Sequence, residues 1–156
     1  MDEEDSPLRM EDFPVSDAVR ETAESFVDFA ASKGHELRLS ITDNLTYRGD
    51  EYAVRQLVSI LLDNAVKYAL PDSPIEFSLE KAKRGVVLRS SNACEDVAPA
   101  DAQKLFDRFY RADPSRSSGS GFGIGLSIAR SIAEGHHGSI RARVDDGKIE
   151  FTAELK

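Results

Sequence analysis

Four glycines fall at every second position in Gly119-Ser-Gly-Phe-Gly-Ile-Gly-Leu126, and a run with helical spacing, Ser127 to Glu134, follows at once. Glycine lacks a Cβ, so backbone N–H groups there can come close to a bound group. The start of a helix adds unpaired donors and the positive end of its dipole. Together these suit a polyphosphate, although a merely flexible link has the same composition. A second group is Asn64, Lys67 and Tyr68, which share a side with Ile60 through three- and four-residue spacings. The Asn64 amide oxygen is a hard ligand suited to magnesium, which also keeps waters and phosphate oxygens in its shell. The Lys67 ammonium can pair with a phosphate. A solvent-facing polar strip would carry the same residues. Third, Asn92 closes the alternating run Val86, Leu88, Ser90, Asn92, so it ends a strand on the buried side. Strand ends often hold ligand-reading polar groups, and asparagine also often starts a turn. Finally, Arg108, Arg111 and Arg116 accompany the apolar anchors Phe106, Phe109 and Tyr110 just before the glycines. A hinged, arginine-bearing segment there reads as a lid, or as a surface loop with incidental charge.

These residues need elements to hold them. Met10 to Val15 can add an edge strand. Ser16 is placed to cap a helix whose apolar positions run Val19, Ala23, Phe26, Val27 and Ala30, with Gly34 as its stop. Leu37, Leu39 and Ile41 alternate as a half-buried strand, Asp43-Asn44 turns, and Thr46 to Arg48 forms a short second strand. Asp50 opens a helix with the seam Val54, Leu57, Val58, Leu61, Ala65 and Tyr68, closed by Pro71-Asp-Ser-Pro74. Ile75, Phe77 and Leu79 begin a hairpin completed by the strand ending at Asn92. Ala100 to Phe109 reads as a short helix. After the glycine helix, Ile140, Ala142 and Val144 pair with Ile149, Phe151, Ala153 and Leu155 across Asp145-Asp-Gly147. Helices interleaved with hairpins predict an α+β fold: a two-layer α/β sandwich whose mixed, mostly antiparallel sheet carries helices on one face.

Composition narrows the classes. The 156 residues suit one domain with a core, and 40% hydrophobic against 31% charged is an ordinary globular mixture. A net charge of −8 disfavours nucleic acid and anionic membranes as partners. Cys94 is the single cysteine, so neither an internal disulfide nor a cysteine-rich zinc site can form. No apolar run reaches membrane-spanning length and no signal peptide is visible, which leads to the expectation of a cytoplasmic module. Residues 1–7 are expected to be an acidic tail and residues 8–156 one domain.

Three segments in order carry a resemblance. Asn64-Ala-Val-Lys-Tyr68, Leu105-Phe-Asp-Arg-Phe-Tyr-Arg111 and Gly121-Phe-Gly-Ile-Gly-Leu126 resemble the asparagine box, phenylalanine box and second glycine box of the ATP-binding catalytic domain of sensor histidine kinases. That domain has a Bergerat-type ATP-binding fold and belongs to a superfamily with type II topoisomerase, heat-shock and mismatch-repair ATPases. The resemblance runs from about Leu8 to the C-terminus. It implies ATP between helices and sheet, with Asn64 ligating Mg2+, Lys67 meeting the phosphates and Tyr68 near the adenosine. It also implies that Gly121, Gly123 and Gly125 offer N–H groups to the phosphates, that Leu126 packs nearby, and that Arg108 and Arg111 sit in or beside an ATP lid. The implied partner is a dimerisation domain of the same parent kinase carrying the acceptor histidine, with a response regulator acted on indirectly and no direct membrane contact. His35, His136 and His137 lack the acceptor's sequence context, so the chain is expected to bind Mg-ATP without phosphorylating itself.

Three positions depart from the family pattern. The first glycine box, Asp-x-Gly-x-Gly, becomes Asn92-Ala-Cys-Glu-Asp96, and the C-terminal Thr-x-Phe becomes Ile149-Glu-Phe151. Hydrolytic members place a glutamate base four residues before the metal-binding asparagine; here Ile60 stands there and cannot take a proton. The alternative function is therefore a degenerate nucleotide-binding or protein-docking module with weak or no ATP affinity. A serine kinase of the anti-sigma type shares the fold, but the Phe106 to Arg111 pattern favours the sensor-kinase branch. A Rossmann site is poorly supported because the glycines follow a polar segment and not a strand. Asn92 can still accept a bond from the adenine amine, at a loss of about 1 kcal/mol relative to a charged acceptor. Asn92→Asp should accordingly tighten Mg-ATP binding by about 5-fold; calorimetric titration checks this, and an unchanged affinity counts against Asn92 as the adenine contact.

Overall fold

The computed structural model describes residues 7–94, 105–106 and 123–156. Its elements run β1 (Glu11–Phe13), α1 (Val15–Glu24), α2 (Val27–Ser32), β2 (Leu37–Ile41), β3 (Tyr47–Gly49), α3 (Glu51–Tyr68), β4 (Ile75–Lys81), β5 (Val86–Ala93), α4 (Gly123–Gly135), β6 (Ser139–Asp145) and β7 (Lys148–Leu155). Five strands form one sheet in the order β2-β4-β5-β7-β6, and β1 pairs with β3 in a separate ribbon. Only β2 and β4 run parallel among these pairs, and α3 lies in the crossover that such a pair requires. The hairpin joining β6 to β7 turns on Asp146 and Gly147, both with positive φ, as a two-residue type I′ turn demands. The predicted mixed, mostly antiparallel sheet is the one found.

One face of the sheet is apolar. Ile75, Phe77 and Leu79 of β4, Val86 and Leu88 of β5, and Ile149, Phe151, Ala153 and Leu155 of β7 are all buried. The register sets them in rows, Ile75–Asn92–Ile149 and Phe77–Ser90–Phe151 among them. Side chains on the other face are mostly polar, Val87 and Ala93 excepted, and some pair across strands, Arg89 with Glu80 at 2.6 Å and Arg141 with Glu154 at 3.3 Å. The helices therefore cover a single face. α3 buries Val54, Leu57, Val58, Leu61, Leu62, Ala65 and Val66, a wider stripe than its predicted seam because it packs against α1, α4 and the sheet together.

Two local expectations fail, each for a chemical reason. The Ser16 hydroxyl does not cap α1. It donates to the Thr42 carbonyl at 2.6 Å and accepts from the Leu45 N–H at 2.8 Å, tying the helix start to the loop between β2 and β3. The apolar run from Val19 to Ala30 is two helices instead of one. Thr22 bonds back to the Ala18 carbonyl and Ser25 to the Thr22 carbonyl, so hydroxyls compete for acceptors at the break between α1 and α2. Asp50, by contrast, caps α3 as expected, accepting from the Ala53 N–H at 3.0 Å. The predicted helix from Ala100 to Phe109 lies outside the described residues except for Leu105 and Phe106, both buried.

His136 joins the beginning of α3 to the end of α4. Its Nδ1–H donates to the Ile132 carbonyl at 2.8 Å, and its Nε2 accepts from the Asp50 N–H at 3.0 Å. His136 is thus held by a buried, two-sided hydrogen bond. Tyr47 packs against the same ring at 5.9 Å between centroids. Gly49 makes that possible, since a Cβ there would come within 2.3 Å of the Tyr47 ring and 2.9 Å of His136. His136→Ala should cost about 2 kcal/mol in urea unfolding, combining a cavity with an orphaned N–H. Burial also raises the Tyr47 phenol from 10.0 to about 12. The unfolded chain then ionises first, so the stability Tyr47 contributes is complete below pH 10 and is lost as pH rises through about 12. Tyr47→Phe should flatten that alkaline decline in melting temperature.

Candidate functional site

Asn64 lies in the second half of α3 and is buried, although polar. Ile60 stands one turn before it, about 6 Å along the axis. A Cβ on Gly125 would sit 3.7 Å from Ile60 Cγ2, so the first turn of α4 passes beside α3 next to Asn64. With His136 bonded to Asp50 at their other ends, α3 and α4 run antiparallel. The start of α4 is therefore beside the Asn64 half of α3. That first turn carries no acidic side chain of its own to offset the positive dipole end. Leu126 is fully buried and anchors the turn to the core. Gly123 is the first residue of α4.

Lys67 and Tyr68 close α3. The Lys67 ammonium pairs with Asp63 at 3.0 Å, and both side chains are about half exposed. Asp63 is thus the partner that the sequence reading missed, though the four-residue spacing was a usable signal. A pair this exposed is worth only about 0.5 kcal/mol, so a phosphate can draw Lys67 away at little cost. Tyr68 is partly buried and packs on the core.

Asn92 is buried at the end of β5, on the helix-facing side as its alternation predicted. Its Nδ2 donates to the Ala93 carbonyl at 2.8 Å, and the same carbonyl accepts from the Leu70 N–H at 3.0 Å. The strand end is thereby fastened to the segment leaving α3, just past Tyr68. With Nδ2 so oriented, Oδ1 is the acceptor end of the amide. Its row neighbour Ile149 is buried and has no hydroxyl to offer.

Two further side chains meet this sheet face, the anchor Phe106 and Ser90, of which only Ser90 was not offered as a site residue by the sequence. Phe106 packs edge-on against Phe151, centroids 5.9 Å apart, so the phenylalanine segment reaches the same sheet face. Ser90 sits between Phe77 and Phe151, fully buried, and its Oγ has no hydrogen-bond partner. It is the one such side-chain atom among the described residues, and leaving it unmet costs about 1–3 kcal/mol. Its signal in the sequence was a lone hydroxyl in the otherwise apolar start of the Val86 to Asn92 face. Arg108, Arg111 and Gly121 lie outside the described residues.

Comparisons with known proteins bear on the family and the fold. A family model described as the histidine kinase-, DNA gyrase B- and HSP90-like ATPase matches residues 49–156. Sensor protein DltS of Streptococcus agalactiae is 32% identical over 99% of this chain and 39% of its own length. Signal transduction histidine-protein kinase BaeS of Escherichia coli is 35% identical over 84% of this chain and 28% of its own length. The chain thus spans less than half the length of these relatives. Among solved structures, the catalytic domain of histidine kinase ThkA superposes with a TM-score of 0.82 over 95% of both chains, at 20% identity. Histidine kinase AdeS of Acinetobacter baumannii gives 0.77 over 97% of this chain and 68% of its own, at 21% identity. Both share the two-layer α/β fold.

Proposed function

Because the chain belongs to the histidine kinase-, DNA gyrase B- and HSP90-like ATPase family, we propose that residues 8–156 are a catalytic domain that binds Mg-ATP and donates its γ-phosphate to a histidine on a separate dimerisation domain. The observation that carries this reading is the meeting of α3 and α4, where Ile60, one turn from buried Asn64, lies beside the first turn of a helix, a turn that holds no acidic residue. Such a start receives an anion through its unpaired N–H groups.

The donors fit magnesium that arrives with its nucleotide. Asn64 supplies one hard amide oxygen, and no group of three or more His, Cys, Asp or Glu that could hold a metal occurs among the described residues. Magnesium typically completes such a shell with waters and phosphate oxygens. When bound, it would neutralise charge on the transferring phosphoryl group. Lys67, released from Asp63, would pair with a phosphate, and Gly121, Gly123 and Gly125 would present N–H groups to the others. Arg108 and Arg111 would add charge from the lid. Tyr68 and Asn92 would face the adenosine end.

Transfer breaks the bond between the γ-phosphorus and the β,γ-bridging oxygen and forms a phosphorus–nitrogen bond on the acceptor imidazole, releasing ADP. Ile60 stands where a base would activate water, so hydrolysis has no proton acceptor there. The acceptor domain belongs to the same parent kinase, and a response regulator then takes the phosphoryl group from it. No described helix is long and apolar enough to cross a membrane. The domain fits the cytoplasmic part of a sensor protein, with residues 1–7 as a tail.

The test supplies labelled ATP, magnesium and a matching dimerisation domain. Acid-labile label on the acceptor histidine is expected, and Asn64→Ala should reduce transfer at least about 100-fold through loss of the metal contact. Acid-stable label would indicate a hydroxyl acceptor instead. Absence of nucleotide binding at millimolar ATP would favour a docking module, the reading consistent with a first glycine box that lacks both glycines.

A further inference from the structure

We infer that Ser90 is a second reader of the nucleotide base, working beside Asn92 through one buried water. The inference rests on the nucleotide-binding reading above. Asn92 and Ser90 point to the same face of β5, two residues and about 6.7 Å apart. Ser90 is fully buried, flanked in the sheet by Phe77 and Phe151, and its Oγ lacks any partner. A hydroxyl persists in an aromatic row at a cost, and a bound group that satisfies it turns that cost into selectivity. Nothing local does so. The neighbouring row ends on Ile149, which has no polar atom to offer, and the Asn92 Nδ2 is turned to Ala93.

The reach of the two side chains decides how the contact is made. Serine is shorter than asparagine by one heavy atom. A purine edge that meets the Asn92 amide therefore stands too far from Ser90 for a direct bond. One water between them, held by Ser90 and the base, satisfies the hydroxyl and excludes bases with the wrong donor pattern. Ser90 is thereby assigned to the base and not to the phosphates, which lie toward Asn64 and α4.

The experiment measures ATP and ADP binding by calorimetry for the wild-type chain, Ser90→Ala, Ser90→Thr and Asn64→Ala, with thermal melts of each without nucleotide. Ser90→Ala is expected to weaken ATP and ADP by the same factor, about 5-fold, with an unchanged or raised melting temperature because an unmet hydroxyl is gone. Ser90→Thr, which keeps the hydroxyl, should bind within about 2-fold of wild type. Wild-type affinity in Ser90→Ala, together with loss of magnesium-dependent binding in Asn64→Ala, would overturn the role of Ser90 and leave the nucleotide site standing. Weakened binding with a lowered melting temperature would assign Ser90 to structure alone and overturn it equally. No binding by the wild-type chain would overturn both readings together.

Discussion

Everything at the site hangs on how α3 is buried. Its wide apolar stripe meets the sheet, α1 and α4 at once, so the helix has one rotation that satisfies all three. That rotation puts Asn64 under cover and leaves Asp63 and Lys67 half in water. A helix with a narrower stripe could roll by a residue and carry Asn64 out of reach. Here rolling would expose Leu62 or Val66, each of which contributes about 1.5–3 kcal/mol by its burial. The hydrophobic core thus does the aiming for the polar chemistry.

The sheet applies the same logic from the opposite side. Its alternation is strict where the helices cover it, and two polar residues interrupt the pattern, Ser90 and Asn92. Asn92 is tied through Ala93 to the chain leaving α3, so the adenosine end of the proposed site is built from one helix end and one strand end held together by shared acceptance at a single carbonyl. The outward face carries exposed ion pairs that contribute little to stability and keep that side solvated.

Much of this was legible in the residue order. Period-two runs such as Ile149, Phe151, Ala153 and Leu155 marked strands, and Asp50 marked the start of α3 because its side chain has one evident job. Legibility failed where a side chain had several possible partners. Ser16 had the right type for a cap, but the carbonyl of Thr42 and the N–H of Leu45, distant in sequence, claimed it. The break between α1 and α2 came from hydroxyls folding back on carbonyls, which an apolar period does not register. His136 showed no partner in the residue order, and only the folded chain brings the Asp50 N–H to it. The boxes were readable as types in order. The approach of Gly125 to Ile60 was not, because it depends on the antiparallel packing of α3 and α4.

That packing has a mechanical consequence. The His136 bond fixes one end of the helix pair, and the contact of Gly125 with Ile60 lies about 15 Å further along both axes. The pair is a cantilever: clamped at the His136 end, with Gly123 and Gly125 in the first turn of α4 at the other. A load on the chain before Gly123 is taken up where α4 begins, at glycine, while buried Leu126, the clamped end and the core behind them hold their register.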